Sequence, residues 1–261
     1  MIYMTINELI LCLIAGFGAG VGTGFAGMSA ANVISPMLIA FLGVDPYAAI
    51  GIALASDVLA SAISAATYSK HKNIDIRNGL VMMASVLLFT VIASWLSSYL
   101  PDTTVGAFAT FMTLFTGLRF IFRPVMTTKD AMEEVSRRKR FLQSVICGAF
   151  IGLICGFVGA GGGMMMLLIL TGVLGYELKT AVGTSVFIMT FTALTGSISH
   201  FTVRGEIAHP DYLIVCALST LIFAQVAAKI ANRVTPKILN RATGILLTAL
   251  GISIIVVTYF L

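Results

Sequence analysis

Gly16-Phe17-Gly18-Ala19-Gly20-Val21-Gly22-Thr23-Gly24-Phe25-Ala26-Gly27 recurs 132 positions on as Gly148-Ala149-Phe150-Ile151-Gly152-Leu153-Ile154-Cys155-Gly156-Phe157-Val158-Gly159. The ungapped match continues through Leu38, Leu42, Gly43, Ala49 and Gly51, which meet Leu170, Leu174, Gly175, Ala181 and Gly183. An internal repeat fixes architecture before any local signal is read. In a chain that lives in a membrane, paired Gly-interrupted segments in matching halves point to a binding site.

This chain has the composition of a membrane protein. It is 58% hydrophobic and 10% charged, with a mean hydropathy of +1.01. A soluble domain of this size cannot hide so much apolar surface. Met1-Ile2-Tyr3-Met4-Thr5 lacks the basic start and cleavage site of a signal peptide, so the first apolar run reads as a retained helix. The net charge of +5 sits in loops between apolar runs, where orientation during insertion explains it and nucleic acid is not implied. Cys12, Cys147, Cys155 and Cys216 stand singly, with no C-x-x-C pair to suggest a metal knuckle or a disulfide framework.

Ten apolar segments are expected, at 6–23, 30–42, 46–69, 78–99, 103–122, 141–158, 163–174, 178–202, 211–230 and 239–260. The second and seventh are too short for a bilayer core of about 30 Å at about 1.5 Å per residue. The expectation is an all-α polytopic protein of two five-element repeats, with about 8 full spans and 2 short or re-entrant helices. Residues 1–123 form the first repeat, 124–140 a basic cytoplasmic linker and 141–261 the second repeat. An odd number of elements per repeat makes the second copy enter from the opposite face, so the repeats are inverted. The basic residues Lys70, Lys72 and Arg77, then Lys129 and Arg137 to Arg140, then Lys229, Arg233, Lys237 and Arg241, fall in loops on one side. That side is read as cytoplasmic in a cell membrane, with both termini outside; Arg204 alone runs against the scheme.

The breaks carry the first candidate site. Glycine clusters interrupt a helix and expose amide groups that lipid cannot satisfy. The helix that restarts there favours an anion at its N-terminus. Ser29, Ala30 and Asn32 in the first copy, and Gly161, Gly162 and Gly163 in the second, are therefore expected at a substrate site. The plainer reading of Gly16, Gly20 and Gly24, and of Gly148, Gly152 and Gly156, is close helix packing at spacing four.

Asp57 is the acid well inside an apolar span, where a carboxylate is costly and points to function. It shares a helical stripe with Ser61, Ser64 and Tyr68, and Ser185, Thr192, Thr195, Ser199 and Thr202 form a second stripe. Asp57, Ser61, Ser64, Ser185 and His200 are thus candidates for the pathway or for ion coupling, against the alternative that the hydroxyls bond their own helices. Protonation of Asp57 while an anion is bound would couple proton and anion movement. Ser185 and His200 do not make a protease pair, since fifteen residues on one helix separate them by about 22 Å. No H-E-x-x-H or phosphate-loop signature occurs, and no enzyme activity or cofactor is expected.

Gly156-Phe157-Val158-Gly159-Ala160-Gly161-Gly162-Gly163, the apolar run to Gly175, and Ala181-Val182-Gly183-Thr184-Ser185 resemble the sulfite exporter TauE/SafE family of membrane permeases. The resemblance covers nearly the whole chain. It implies transport of a small anion, typically sulfur-containing, across the bilayer. The first copy departs from the family pattern with Met28-Ser29-Ala30-Ala31 in place of a glycine run, and the second has Leu168 where proline is expected. The expected partners are a small anionic substrate, the lipid bilayer and a possible second copy of the chain, without nucleic acid. A membrane assembly or signalling component, or an anion channel using the same hairpins, are the alternatives.

Overall fold

The computed structural model describes residues 4–97, 114–115, 117–133, 136–158, 162–204 and 209–260. Its helices are α1 (Ile6–Ala26), α2 (Ala31–Leu42), α3 (Pro46–Lys70), α4 (Ile76–Ser97), α5 (Lys129–Glu133), α6 (Arg137–Val158), α7 (Gly162–Gly172), α8 (Leu178–Arg204), α9 (Pro210–Arg233) and α10 (Pro236–Phe260). A further helical stretch runs over 117–122, and no strand occurs among the described residues. Of the fifth expected segment only residues 114–115 and this end are described. Among the described residues, α1, α3, α4, α8 and α9 each contain a stretch long and apolar enough to cross a membrane.

Local chemistry sets the ends. Thr5 and Glu8 cap α1 reciprocally, each side chain bonding the other's backbone amide. Asp45 caps α3 by accepting from the Ala48 N–H at 3.1 Å, and Pro46 follows as its first residue. Helix α6 begins four residues before its apolar run because Ser136 supplies the cap, accepting from the Lys139 N–H at 3.4 Å. The two short helices end alike. Gly43 and Gly175 take left-handed φ of 61° and 66°. The amide after each donates six residues back, Val44 to Leu38 O at 3.2 Å and Tyr176 to Leu170 O at 2.8 Å. A Cβ at either glycine would meet nothing, so conformation, not space, selects glycine there.

The packing crosses between the sequence copies. Helix α1 lies against α9 and runs parallel to it: Gly16 faces Ser219, Gly20 faces Thr220 and Ala224, and Gly24 faces Ala227 and Ala228. Helix α6 lies parallel to α4 in the same manner, with Gly148 on Met82 and Ser85 and Gly152 on Val86 and Phe89. A Cβ at Gly24 would sit 2.5 Å from the Ala227 Cβ and 2.6 Å from the Ala224 carbonyl. These glycines therefore serve close helix approach. Helices α3 and α8 pack antiparallel, Gly183 on Tyr68 and Gly196 on Leu54. Stretch 117–122 and α10 also run antiparallel, Gly117 on Thr248 and Gly244 on Ile121.

The basic loops converge at one end. Lys129 Nζ donates to Lys72 O at 3.1 Å, Asn73 Nδ2 to Asn232 Oδ1 at 2.6 Å and Lys179 Nζ to Asn232 O at 3.0 Å.

Candidate functional site

The first break follows from Gly27, whose φ of 60° ends α1 and lets its N–H bond Thr23 O. Thr23 Oγ1 then serves both sides of the interruption, within reach of Ala19 O at 2.9 Å and Met28 O at 2.8 Å. Tyr68 donates its hydroxyl to Gly24 O at 2.9 Å, tying the end of α3 to the same turn. Freed backbone carbonyls are thus satisfied by side chains inside the protein, as membrane depth requires.

Ser29 lies between the two helices and is 3% exposed. Its Oγ donates to Asp57 Oδ2 at 2.6 Å and accepts from the Ala31 N–H at 3.3 Å. Asp57 is 1% exposed. Its Oδ1 has no hydrogen-bond partner among the described residues. A buried carboxylate half-satisfied by one serine holds a large desolvation cost in a small volume.

The second copy reaches this place through α7. A Cβ on Gly163 would lie 2.5 Å from Gly27 O and from Met189 Sδ, and 3.1 Å from Ser29 N. Only a glycine lets the start of α7 approach the first break so closely. From the other side, a Cβ on Gly27 would run into Ser185 Oγ. Gly27, Ser29, Asp57, Gly163 and Ser185 thus gather around one point where the start of α7 meets the first break.

The remaining expected residues are placed differently. Gly162 points at Cys155 Sγ of its own copy and not at the first break. Ala30 is buried at the N-cap of α2, and Asn32 is half-buried in its first turn. Ser61 Oγ turns back to Asp57 O at 2.5 Å, whereas Ser64 Oγ is buried without a partner among the described residues. Ser185 Oγ bonds Val182 O at 2.8 Å. Further along α8, Thr195 and Thr202 bond their own helix and face outward, so that part of the stripe does not line an interior path. Gly161 and the His200 side chain lie outside the described residues. No cluster of three His, Cys, Asp or Glu able to hold a metal occurs among the described residues.

A second polar cluster, at the basic end, was not singled out by the sequence reading. Asp75 Oδ1 accepts from the Asn78 N–H at 3.1 Å, and Oδ2 accepts from Asn78 Nδ2 at 2.7 Å and Tyr176 OH at 2.8 Å. Its own N–H donates to Thr184 Oγ1 at 3.1 Å. Arg140 Nη1 stands 3.6 Å from Asp75 Oδ2, and its guanidinium carbon 5.5 Å from the Tyr176 ring centre. Burial, reinforced by the Asp75 carboxylate, holds the Tyr176 phenol above its ordinary range, so it stays a donor. Ion-pair signals of this kind are invisible at a separation of 65 positions unless the pairing of α4 with α6 is known.

Interrupted helices meeting inside a bundle of apolar helices are the construction of membrane transporters. The chain belongs to the sulfite exporter TauE/SafE family, whose model matches residues 12–254. It is 23% identical over 244 residues to YdhB of Bacillus subtilis, a probable membrane transporter protein, covering 93% of this chain and 98% of the relative. A probable membrane transporter protein of Methanocaldococcus jannaschii is 25% identical over 258 residues, with 94% of each chain covered. No solved structure gives a significant match.

Proposed function

We propose that this protein is a secondary transporter that moves a small, sulfur-containing oxyanion by alternating access, with substrate held where the two helix breaks meet. The observation that carries the reading is the approach of Gly163 to Gly27 O and Ser29 N, beside the Ser29–Asp57 hydrogen bond. The start of α7 supplies uncharged amide donors for an anion, while the Ala31 and Asn32 amides at the start of α2 bond Ser29 and fix its hydroxyl at the break. The family's description as sulfite exporters supports a sulfite or sulfonate group as cargo.

Inverted repeats fit the packing. First elements lie parallel to fourth elements of the other copy, and third elements lie antiparallel to each other. A two-fold axis in the membrane plane generates such a pattern, and rocking of one copy against the other about the breaks then opens each side in turn. In this reading residues 1–123 and 141–261 are the two repeats, 124–140 the cytoplasmic linker, and about 8 helices span with α2 and α7 short. The protein sits in the cell membrane with both termini outside, since the convergent basic loops belong to the cytoplasmic end. Asp57 takes up a proton as the anion binds, which keeps two like charges out of one buried site and links the two movements.

Purified protein in proteoliposomes should accumulate labelled sulfite or a sulfonate down an imposed proton gradient and show counterflow stimulated by substrate on the far side. Uptake of neither anion removes the transporter reading and leaves a membrane assembly component; uptake without trans-stimulation makes the protein a channel.

A further inference from the structure

Arg140 is more deeply buried than any role in membrane orientation requires. It is 9% exposed, and its Nε and Nη2 have no hydrogen-bond partner among the described residues. Ser144, one turn further along the same face of α6, is fully buried and its Oγ is likewise without a partner among the described residues. The Asp75 carboxylate engages only the remaining nitrogen, and at 3.6 Å that contact is too long for a hydrogen bond. A desolvated guanidinium with two idle donors is costly. The Nε–Nη2 edge is also the fork that receives two oxygens of a carboxylate, sulfonate or phosphate in parallel.

Asp75 follows α3 in the first copy, whereas its partners Tyr176 and Thr184 belong to the second, and Arg140, the last linker residue, is carried on α6, the helix that leads into the second copy. A movement that draws the start of α4 away from α6 and α8 separates Asp75 from these three groups.

We propose that Arg140, assisted by Ser144, is a second oxyanion-binding site at the basic end of the path, and that Asp75 is its internal competitor. This rests on the reading of the protein as an anion transporter. With that end closed, Asp75 neutralises the guanidinium and Tyr176 and Thr184 hold Asp75 in place. As the end opens, Asp75 leaves with the first copy, and the freed fork and the Ser144 hydroxyl take the oxyanion on its way to or from the helix breaks. The ligand class is a small anion presenting at least two oxygens from one centre; chloride lacks that geometry.

Sulfite counterflow is measured in right-side-out and inverted membrane vesicles, which present substrate to opposite faces. Arg140→Lys keeps the charge and removes the fork. It should raise half-saturating sulfite by about tenfold at the face bearing the basic loops, since hydrogen bonds to charged groups are strong, and leave the other face unchanged. Asp75→Asn removes the competitor and should lower half-saturation at the same face. Opposite signs from two partners of one ion pair are what a merely structural salt bridge does not give. Should Arg140→Lys fail to elute as a monodisperse protein, Ser144→Ala takes its place; it loses no existing hydrogen bond and should raise half-saturation at the basic face alone. Parental half-saturation at both faces in Arg140→Lys or Ser144→Ala, or a rise in Asp75→Asn, overturns the inference alone. If the parent itself moves no sulfite or sulfonate, the transporter reading falls and this inference with it.

Discussion

Asp57 and Met189 stand at matching positions of the two sequence copies, and each lies against the helix restart of its own copy. Asp57 meets Ser29; Met189 presses its thioether against Gly163. Thr23 and Ser29 in the first break correspond to Cys155 and Gly161 in the second. One copy therefore contributes titratable and hydrogen-bonding side chains. The other contributes bare backbone, a soft, adaptable thioether and the Ser185 hydroxyl, which bonds its own helix. Two carboxylates in one buried site would repel each other and an anion alike. The duplicated frame thus carries its carboxylate in one copy and its closest backbone approach in the other.

The comparison breaks most visibly at Gly163. Gly163→Leu should abolish transport and destabilise the fold by about 1–3 kcal/mol, because its side chain must displace the Gly27 carbonyl as well as Met189. Gly162→Leu meets Cys155 Sγ instead and should keep more activity. Uptake assays beside a thermal melt separate the two; equal loss in both variants would mean that the approach of α7 to the first break is not what matters.

Charge comes next. Asp57→Asn should keep sulfite binding and counterflow but lose accumulation driven by a proton gradient, whereas Met189→Leu should keep both. Parental pH-driven accumulation in Asp57→Asn would make the carboxylate a structural link only.

Ser29→Ala tests the bond between break and carboxylate. A hydrogen bond to a charged group is worth about 1.5–3 kcal/mol, so transport at limiting substrate should fall by about tenfold or more. An unchanged rate would detach Ser29 from the site.

Where the copies agree, they should respond alike. Gly43→Ala and Gly175→Ala each force a side chain into left-handed backbone at a cost of about 1–2 kcal/mol. Both should lower the melting temperature by similar amounts and leave the half-saturating substrate concentration alone.

The all-helical character and the two short helices were legible because apolar runs and glycine breaks are local signals. The short second and seventh helices fall where the apolar runs place them, at Ala31–Leu42 and Gly162–Gly172. Glycine spacing four apart reads as packing, and Gly16, Gly20, Gly24, Gly148 and Gly152 do face neighbouring helices closely. The isolation of Asp57 marked it, and the structure places it beside Ser29. What sequence could not supply is the rotation of each helix against its neighbours. That rotation turns Gly163 to the first break and Gly162 away from it, and sends Thr195 and Thr202 outward. Arg140 was submerged in a basic run whose neighbours Arg138 and Lys139 are exposed, so its burial had no local signature.

The parallel pairing of α1 with α9 and of α4 with α6 also sets a timetable for biosynthesis. Helix α1 ends at Ala26, and the partner that covers its glycine face does not begin until Pro210. At about 5–20 residues per second the ribosome keeps the first helix waiting for on the order of ten seconds or more. Through that interval Gly16, Gly20 and Gly24 stand open to acyl chains and to any small-residue helix drifting past. The first half therefore carries an uncovered small-residue face until α9 has been made.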